Sequence, residues 1–204
     1  MSFQEKTPAI SERPIDATMV MPSRDLAWEL VCRYVQNPAL RRHMLAVEAA
    51  MRAYAQKLGE DEERWGIVGL LHDFDWEIHP SADEHPELGC RMLEELGYPA
   101  DMVKAIRGHA TYLNIPRDTK MAKALFACDE LCGFLTAVAY VRPSKSIRDV
   151  PVQSVKKKLK DKSFAANVNR EEVYTGAEEF GVPLDAHIGF LIEALSRNAT
   201  ELGL

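Results

Sequence analysis

The sequence predicts an all-α single domain of about eight or nine helices, and three observations carry that prediction. From Ser23 onward, apolar residues recur at steps of three and four in nearly every segment. Helix breakers stand between the segments: Pro38, Gly59, Pro80, Pro86, Gly97, Pro99, Pro116, Pro143, Pro151, Gly181 and Pro183. Alternation of period two, the mark of a half-buried strand, is absent. With 204 residues, 47% of them hydrophobic, the chain can bury one full core and sits near the upper size of one compact unit.

Residues 1–22 hold Pro8, Pro14 and Pro22 among scattered charges, with no apolar period, and read as an irregular N-terminal arm. Residues 23–204 form the helical domain. After a first helix from Ser23, the clearest stripe is Leu40, Met44, Val47, Met51, Tyr54 and Leu58, one buried helix face ending at Gly59 and flanked by His43. The next helix runs from Glu60 through Trp65, Val68 and Leu71 to Phe74. Its acidic first turn, Glu60 to Glu63, suits the positive end of the macrodipole, and His72 and Asp73 close it. Helices follow over 86–96, beside His85, and over 99–110, where His109 shares the inward face of Met102 and Ile106. The longest helix, 119–141, has a stripe of Met121, Leu125, Cys128, Cys132 and Leu135. Asp129 lies beside that stripe, in line with Ala122, Phe126, Gly133 and Thr136. Two or three more helices follow, over 151–161, 169–180 and 184–202.

The formal net charge of -6 argues against a general nucleic-acid binder, which needs excess cation to displace phosphate counterions. The N-terminus shows no signal-peptide pattern and no apolar run long enough for a bilayer, so a cytoplasmic location with no membrane partner is expected. The four cysteines, Cys32, Cys90, Cys128 and Cys132, lack a C-x-x-C pair and read as reduced, buried small hydrophobes rather than ligands. Homo-oligomerisation is left open.

Chemistry concentrates in the acids and imidazoles. A carboxylate at Asp129, bracketed by Ala122, Phe126, Gly133 and Thr136, is expected to be buried, where an unpaired charge costs several kcal/mol unless a cation resolves it. On an ideal helix His72 and Asp73 point about 100° apart, so both serve ions only near the helix end, between their directions. Five of the six histidines fall in the first two thirds of the chain. Imidazole with carboxylate oxygen suits Fe, Mn, Zn, Co or Ni better than calcium.

The order His43, His72-Asp73 at the end of G-L-L-H-D-F, His85, His109 and Asp129 resembles the HD-domain superfamily of metal-dependent phosphohydrolases. Segments R-H-M-L-A-V, V-G-L-L-H-D, H-P-E-L-G and A-C-D-E-L-C-G-F match it in type and order over about residues 30–140. The later V-R-P-S-K-S-I and S-V-K-K-K-L-K-D-K-S-F resemble a bacterial HDIG-like subgroup of predicted hydrolases. The resemblance implies an HD-type helical bundle. It implies His43, His72, Asp73 and Asp129 as the ligands of a single-metal member, and His85 and His109 as the additional pair of two-metal members. With all six present it implies two divalent transition-metal ions bridged by Asp73, one occupied site being the alternative. Cyclic-dinucleotide phosphodiesterases of the superfamily have glycine and lysine after the pair, where this chain has Asp75 and Trp76, which argues against that activity.

The expected reaction is hydrolysis of a small phosphorylated substrate, such as a nucleotide, by metal-activated water. Asp73 is then catalytic as the bridge. Asp75 and Glu77 are candidates to orient the water or protonate the leaving oxygen, Asp75 the better placed; the ordinary reading is a solvated acidic loop. Arg142 and Lys145 are candidates for binding substrate phosphate, against the ordinary reading of cations at a helix C-terminus. The run Lys156, Lys157, Lys158, Lys160 and Lys162 reads as a solvated face, and His79 and His187 as structural or surface residues. Two other functions compete: a di-iron oxygenase of the same superfamily, and a metal-stabilised sensor or interaction domain.

Overall fold

The computed structural model describes residues 22–204. The arm expected over 1–22 therefore lies outside the described residues, apart from Pro22. Among the described residues there are ten α-helices and no strand: α1 (Arg24–Tyr34), α2 (Pro38–Leu58), α3 (Glu62–Leu71), α4 (Glu87–Glu95), α5 (Ala100–Arg107), α6 (Lys120–Tyr140), α7 (Val152–Lys160), α8 (Arg170–Phe180), α9 (Leu184–Arg197) and α10 (Ala199–Leu202). The count exceeds the expected eight or nine because the 184–202 segment divides at Asn198. That residue leaves helical geometry with φ -109° and ψ 14°, and its side-chain amide donates back to the Ala194 carbonyl at 3.2 Å. No described helix is long and apolar enough to cross a membrane.

The helix starts are written locally. Asp61 caps α3 by accepting from the amides of Glu63 and Arg64 at 2.9 and 3.0 Å, and Thr119 caps α6 by accepting from Ala122 at 3.1 Å. Pro38 opens α2 from the position where its missing N–H is harmless. Gly59, at φ 69°, closes that helix in the left-handed conformation.

Two 21-residue helices, α2 and α6, form the spine. They pack against each other, α3 lies along α2, and α8 lies along α6. Met44, Val47, Met51 and Tyr54 of the expected stripe are buried, while Leu58 at its end is exposed. Every residue of α3 from Trp65 to Leu71 is buried, as a helix enclosed on all sides must be. Close approach of α3 to α2 depends on Gly69: a Cβ there would stand 2.9 Å from the Val47 carbonyl. The end of α3 thereby meets the part of α2 that carries His43.

The α3 helix stops earlier than expected. It ends at Leu71 rather than Phe74, and residues 72–78 run on as tight turns. The Phe74 amide bonds Leu71 at 3.3 Å and the Trp76 amide bonds Asp73 at 3.0 Å, both reaching back three residues rather than four. His72 and Asp73 are therefore presented by a tightened turn, not by the ideal helix on which about 100° would separate them.

Candidate metal centre

Five segments bring six ligand candidates to one place. His43 comes from the second turn of α2, His72 and Asp73 from the turn ending α3, His85 from the turn before α4, His109 from just past α5, and Asp129 from the middle of α6. They fall into two groups, His43, His72 and Asp129 in one and Asp73, His85 and His109 in the other, with the offered atoms of each group within 4.8 Å of one another.

Three histidines have one ring nitrogen committed behind the site. His72 Nδ1–H donates to the Gly69 carbonyl at 2.8 Å, His109 Nδ1–H to the Ile106 carbonyl at 2.6 Å, and His85 Nδ1–H to Asp75 Oδ1 at 2.9 Å. Such partners place the proton on Nδ1 and leave the Nε2 lone pair for the site. Those Nε2 atoms crowd together: His85 and His109 bring theirs to 3.3 Å of each other, and His72 Nε2 stands 3.2 Å from His43 Nε2. Two such lone pairs repel unless a proton or cation lies between them. Donors bound tetrahedrally to one ion at about 2.0–2.1 Å lie about 3.3 Å apart, so the spacing fits a transition-metal ion.

Asp73 faces both groups. Its Oδ1 is 3.4 Å from Nε2 of both His85 and His109, while Oδ2 is 3.5 Å from His72 Nε2 and 3.9 Å from His43 Nε2. Asp129 Oδ1 lies 3.0 Å from His43 and 3.3 Å from His72. Asp129 was expected to be buried; its side chain is 19% exposed because its face of α6 opens on a cavity.

The electrostatics follow from this crowding. Burial opposes the charged form of His72 and His109, yet the carboxylates of Asp73 and Asp129 outweigh it, raising His72 and pushing His109 up to about 9. Burial likewise works against the anions of Asp73 and Asp129, but the imidazoles, His72 first, hold both below the usual carboxylate range. At Glu130 burial, and then the neighbouring Asp129 charge, outweigh the Asn169 amide and His43, and push it up to about 7.

The centre forms the floor of a cavity of about 350 Å³. Trp76, Thr111, Tyr112, Glu130, Asn167 and Glu172 line it, the Thr111 hydroxyl donating to Glu172 at 2.7 Å, with no Lys or Arg among the lining residues. The Trp76 ring meets His85 edge-on at 4.9 Å, and the Tyr112 hydroxyl donates to the His85 carbonyl at 2.7 Å. Asn167 sits on the 161–169 loop, whose Phe164, Ala165 and Val168 carbonyls accept from the Arg170 guanidinium. A larger hollow of about 420 Å³ elsewhere holds Arg24, Glu48 and Arg52, but there the arginines are paired to Glu48 at 2.8 and 2.9 Å and no ligand set converges.

The remaining candidates are placed elsewhere. Asp75 is 1% exposed, and its oxygens accept from His85 Nδ1 and from the Gly89 amide at 3.0 Å. It stands behind His85 rather than at the cavity, against Gly89, where a Cβ would come within 2.4 Å of its carboxyl carbon. Glu77 accepts from the amides of Gln36 and Asn37, both at 2.9 Å, tying the α1–α2 connection to the turn. Arg142 and Lys145 lie beyond the end of α6, thirteen and sixteen residues past Asp129, and neither lines the cavity. At 1.5 Å per residue that puts Arg142 about 20 Å along the axis. Asn167, Glu172, Thr111 and Tyr112 were not singled out from sequence, having no spacing that links them to the ligands. Glu130 had one usable signal, its place beside Asp129.

Residues 40–133 match the model of the family described as HD domain. Ribonuclease Y of Oleidesulfovibrio alaskensis is 29% identical over 93 residues, which is 45% of this chain and 18% of that protein. No solved structure matches.

Proposed function

We propose, from the premise that residues 40–133 place this chain among HD-domain proteins, that it is a metal-dependent phosphohydrolase acting on a nucleotide or another small phosphoester. The observation that carries the reading is Asp73, whose two oxygens face two separate imidazole groups at 3.4 and 3.5 Å. His43, His72 and Asp129 would hold one ion and His85 and His109 the other, with Asp73 between. Ions so placed supply an acidified water and Lewis-acid stabilisation of charge on a phosphoryl oxygen. The relative's name, a ribonuclease, supports phosphoester chemistry of this kind.

The chain's own residues then have separable roles. Asp75, fixed by the Gly89 amide, orients His85 through Nδ1, which makes it a positioning residue. Tyr112 steadies the same histidine from its backbone side. With Asp73, Asp129, Glu130 and Glu172 on the cavity and no Lys or Arg among its lining residues, metal ions would supply the further positive charge that a phosphate needs to approach. Asn167 and Thr111 offer uncharged hydrogen-bonding groups to the rest of the substrate.

The test is release of phosphate from nucleotide monoesters, and of the monoester product from diesters, with Mn, Co, Ni, Mg or Zn supplied, beside metal content of protein purified without added metal. Release by the native chain and its loss in Asp73→Ala are expected. Esters left intact under every metal would sink the reading. The same six-residue set also suits a di-iron oxygenase, which predicts two irons per chain and oxygen consumption.

A further inference from the structure

A second cationic hollow lies away from the metal centre, where the end of α6 meets α7. It has a volume of about 390 Å³ and is lined by Val138, Val141, Arg142, Pro143, Ser154, Lys157 and Lys158. Three side chains there carry positive charge and none carries negative charge, in a protein of net charge -6. The neighbouring lysine is not part of it, since Lys156 pairs with Asp185 at 2.7 Å. Asp161, at the end of α7, turns its Oδ1 to the Ser163 amide and hydroxyl at 3.1 and 2.6 Å.

Arg142 is the most informative member. Its Nε is buried and has no hydrogen-bond partner, although an N–H shut away from water ordinarily has one. The backbone fixes its position: the Arg142 amide donates to Ala139 at 3.0 Å, and its carbonyl accepts from Lys145 at 3.0 Å. Across the hollow, α7 is seated by buried Val155 and Leu159, which settles where Lys157 and Lys158 emerge. Lys158 is held further by the Phe164 ring, 4.4 Å from its Nζ.

We infer that this hollow is an anion site for the phosphoryl group of a small organic phosphate, taken by the Arg142 fork and the Lys157 and Lys158 ammonium groups. The apolar body of the ligand would rest on Val138, Val141 and Pro143. A guanidinium fork beside two ammonium groups matches the charge and geometry of a phosphate, and with Nε shut away the terminal nitrogens of Arg142 are the ones that would meet it. A concave hollow of about 390 Å³ suits a small molecule better than a flat lipid surface. The site is distinct from the metal centre: Val138, nine residues after Asp129, points about 180° away from it around α6. The inference therefore does not depend on the reading of the metal centre.

The experiment is calorimetric titration of adenosine monophosphate into the full chain under chelation and, in parallel, into full-length Asp73→Ala. The same titration is made with Arg142→Gln and with the double variant Lys157→Gln, Lys158→Gln, each checked for native thermal unfolding and metal content. Expected is binding that survives chelation and Asp73→Ala and weakens by about tenfold or more in both cation variants, a change of about 1.4 kcal/mol. Binding that disappears in Asp73→Ala, or is unchanged in the cation variants, would overturn the site. So would absence of binding at millimolar nucleotide, or association with phosphatidylserine vesicles without binding of the free nucleotide.

Discussion

Two buried environments in this molecule hold the same side chain to different ends. His187, on α9, is 0% exposed, and both ring nitrogens are matched: Nδ1 accepts from the Tyr54 hydroxyl at 2.6 Å and Nε2–H donates to the Ala127 carbonyl at 2.9 Å. At the metal centre, His72, His85 and His109 each commit Nδ1 as a donor instead, and bring Nε2 to another imidazole or a carboxylate. Burial, with no carboxylate beside it and a smaller push from the Lys57 charge, depresses His187 to about 4, whereas the Asp73 carboxylate, against burial, lifts His109 to about 9. The difference teaches that burial does not distinguish a core histidine from a ligand. The partner of the second nitrogen does.

Substituting the core histidine sharpens that contrast most. His187→Phe should leave the Tyr54 hydroxyl without a partner, while the Ala127 carbonyl keeps its bond within α6, and should destabilise the fold by roughly 1–3 kcal/mol for the orphaned group. Metal content should stay that of the native chain. Denaturant unfolding beside metal analysis checks both, and loss of metal in this variant would break the comparison.

The pH response of the same residue comes next. Its folded pKa of about 4 lies below the ordinary histidine value, so between about 6.5 and 4 the unfolded chain binds the extra proton and stability falls as pH falls. The contribution is complete above about 6.5 and amounts to roughly 3 kcal/mol at 1.36 kcal/mol per unit. Stability measured across that window should fall less steeply in His187→Phe than in the native chain; equal slopes would remove His187 from the account.

On the metal side, Asp75→Asn should weaken metal affinity about 10–100-fold while the fold persists, as loss of a carboxylate behind a ligating histidine does elsewhere. Competition against a calibrated chelator reads it, and an unchanged affinity would place Asp75 in a purely structural role beside Gly89. The smallest effect is expected from Tyr112→Phe, which removes one hydrogen bond to the His85 carbonyl and should shift stability by about 1 kcal/mol without altering metal stoichiometry.

Much of the fold is legible along the chain because helices repeat locally. The middle of the α2 stripe, Met44 to Tyr54, and the α6 stripe of Met121, Leu125, Cys128, Cys132 and Leu135 go to the core as their spacing requires, and the four cysteines are free thiols. The division at Asn198 was not legible, since neither glycine nor proline marks it. The ligand candidates were legible as residue types in an order. The cavity walls were not: Trp76, Tyr112, Asn167 and Glu172 meet only after α8 and the 161–169 loop dock against the turn after α3. Asp75 illustrates the limit within two residues of a ligand. Its nearness to Asp73 suggested the water, but the tight turn points it behind His85.

By itself the sequence determined the helical class, the breaks between most helices, and which imidazoles and carboxylates could serve as ligands, because these depend on local periodicity and donor chemistry. Only the tertiary structure decided that Asp73 faces two groups, that His187 belongs to the core, and that Arg142 lies across α6 from the metal centre. Those are facts of direction, and a side chain's direction is set by the packing of helices far apart in the chain.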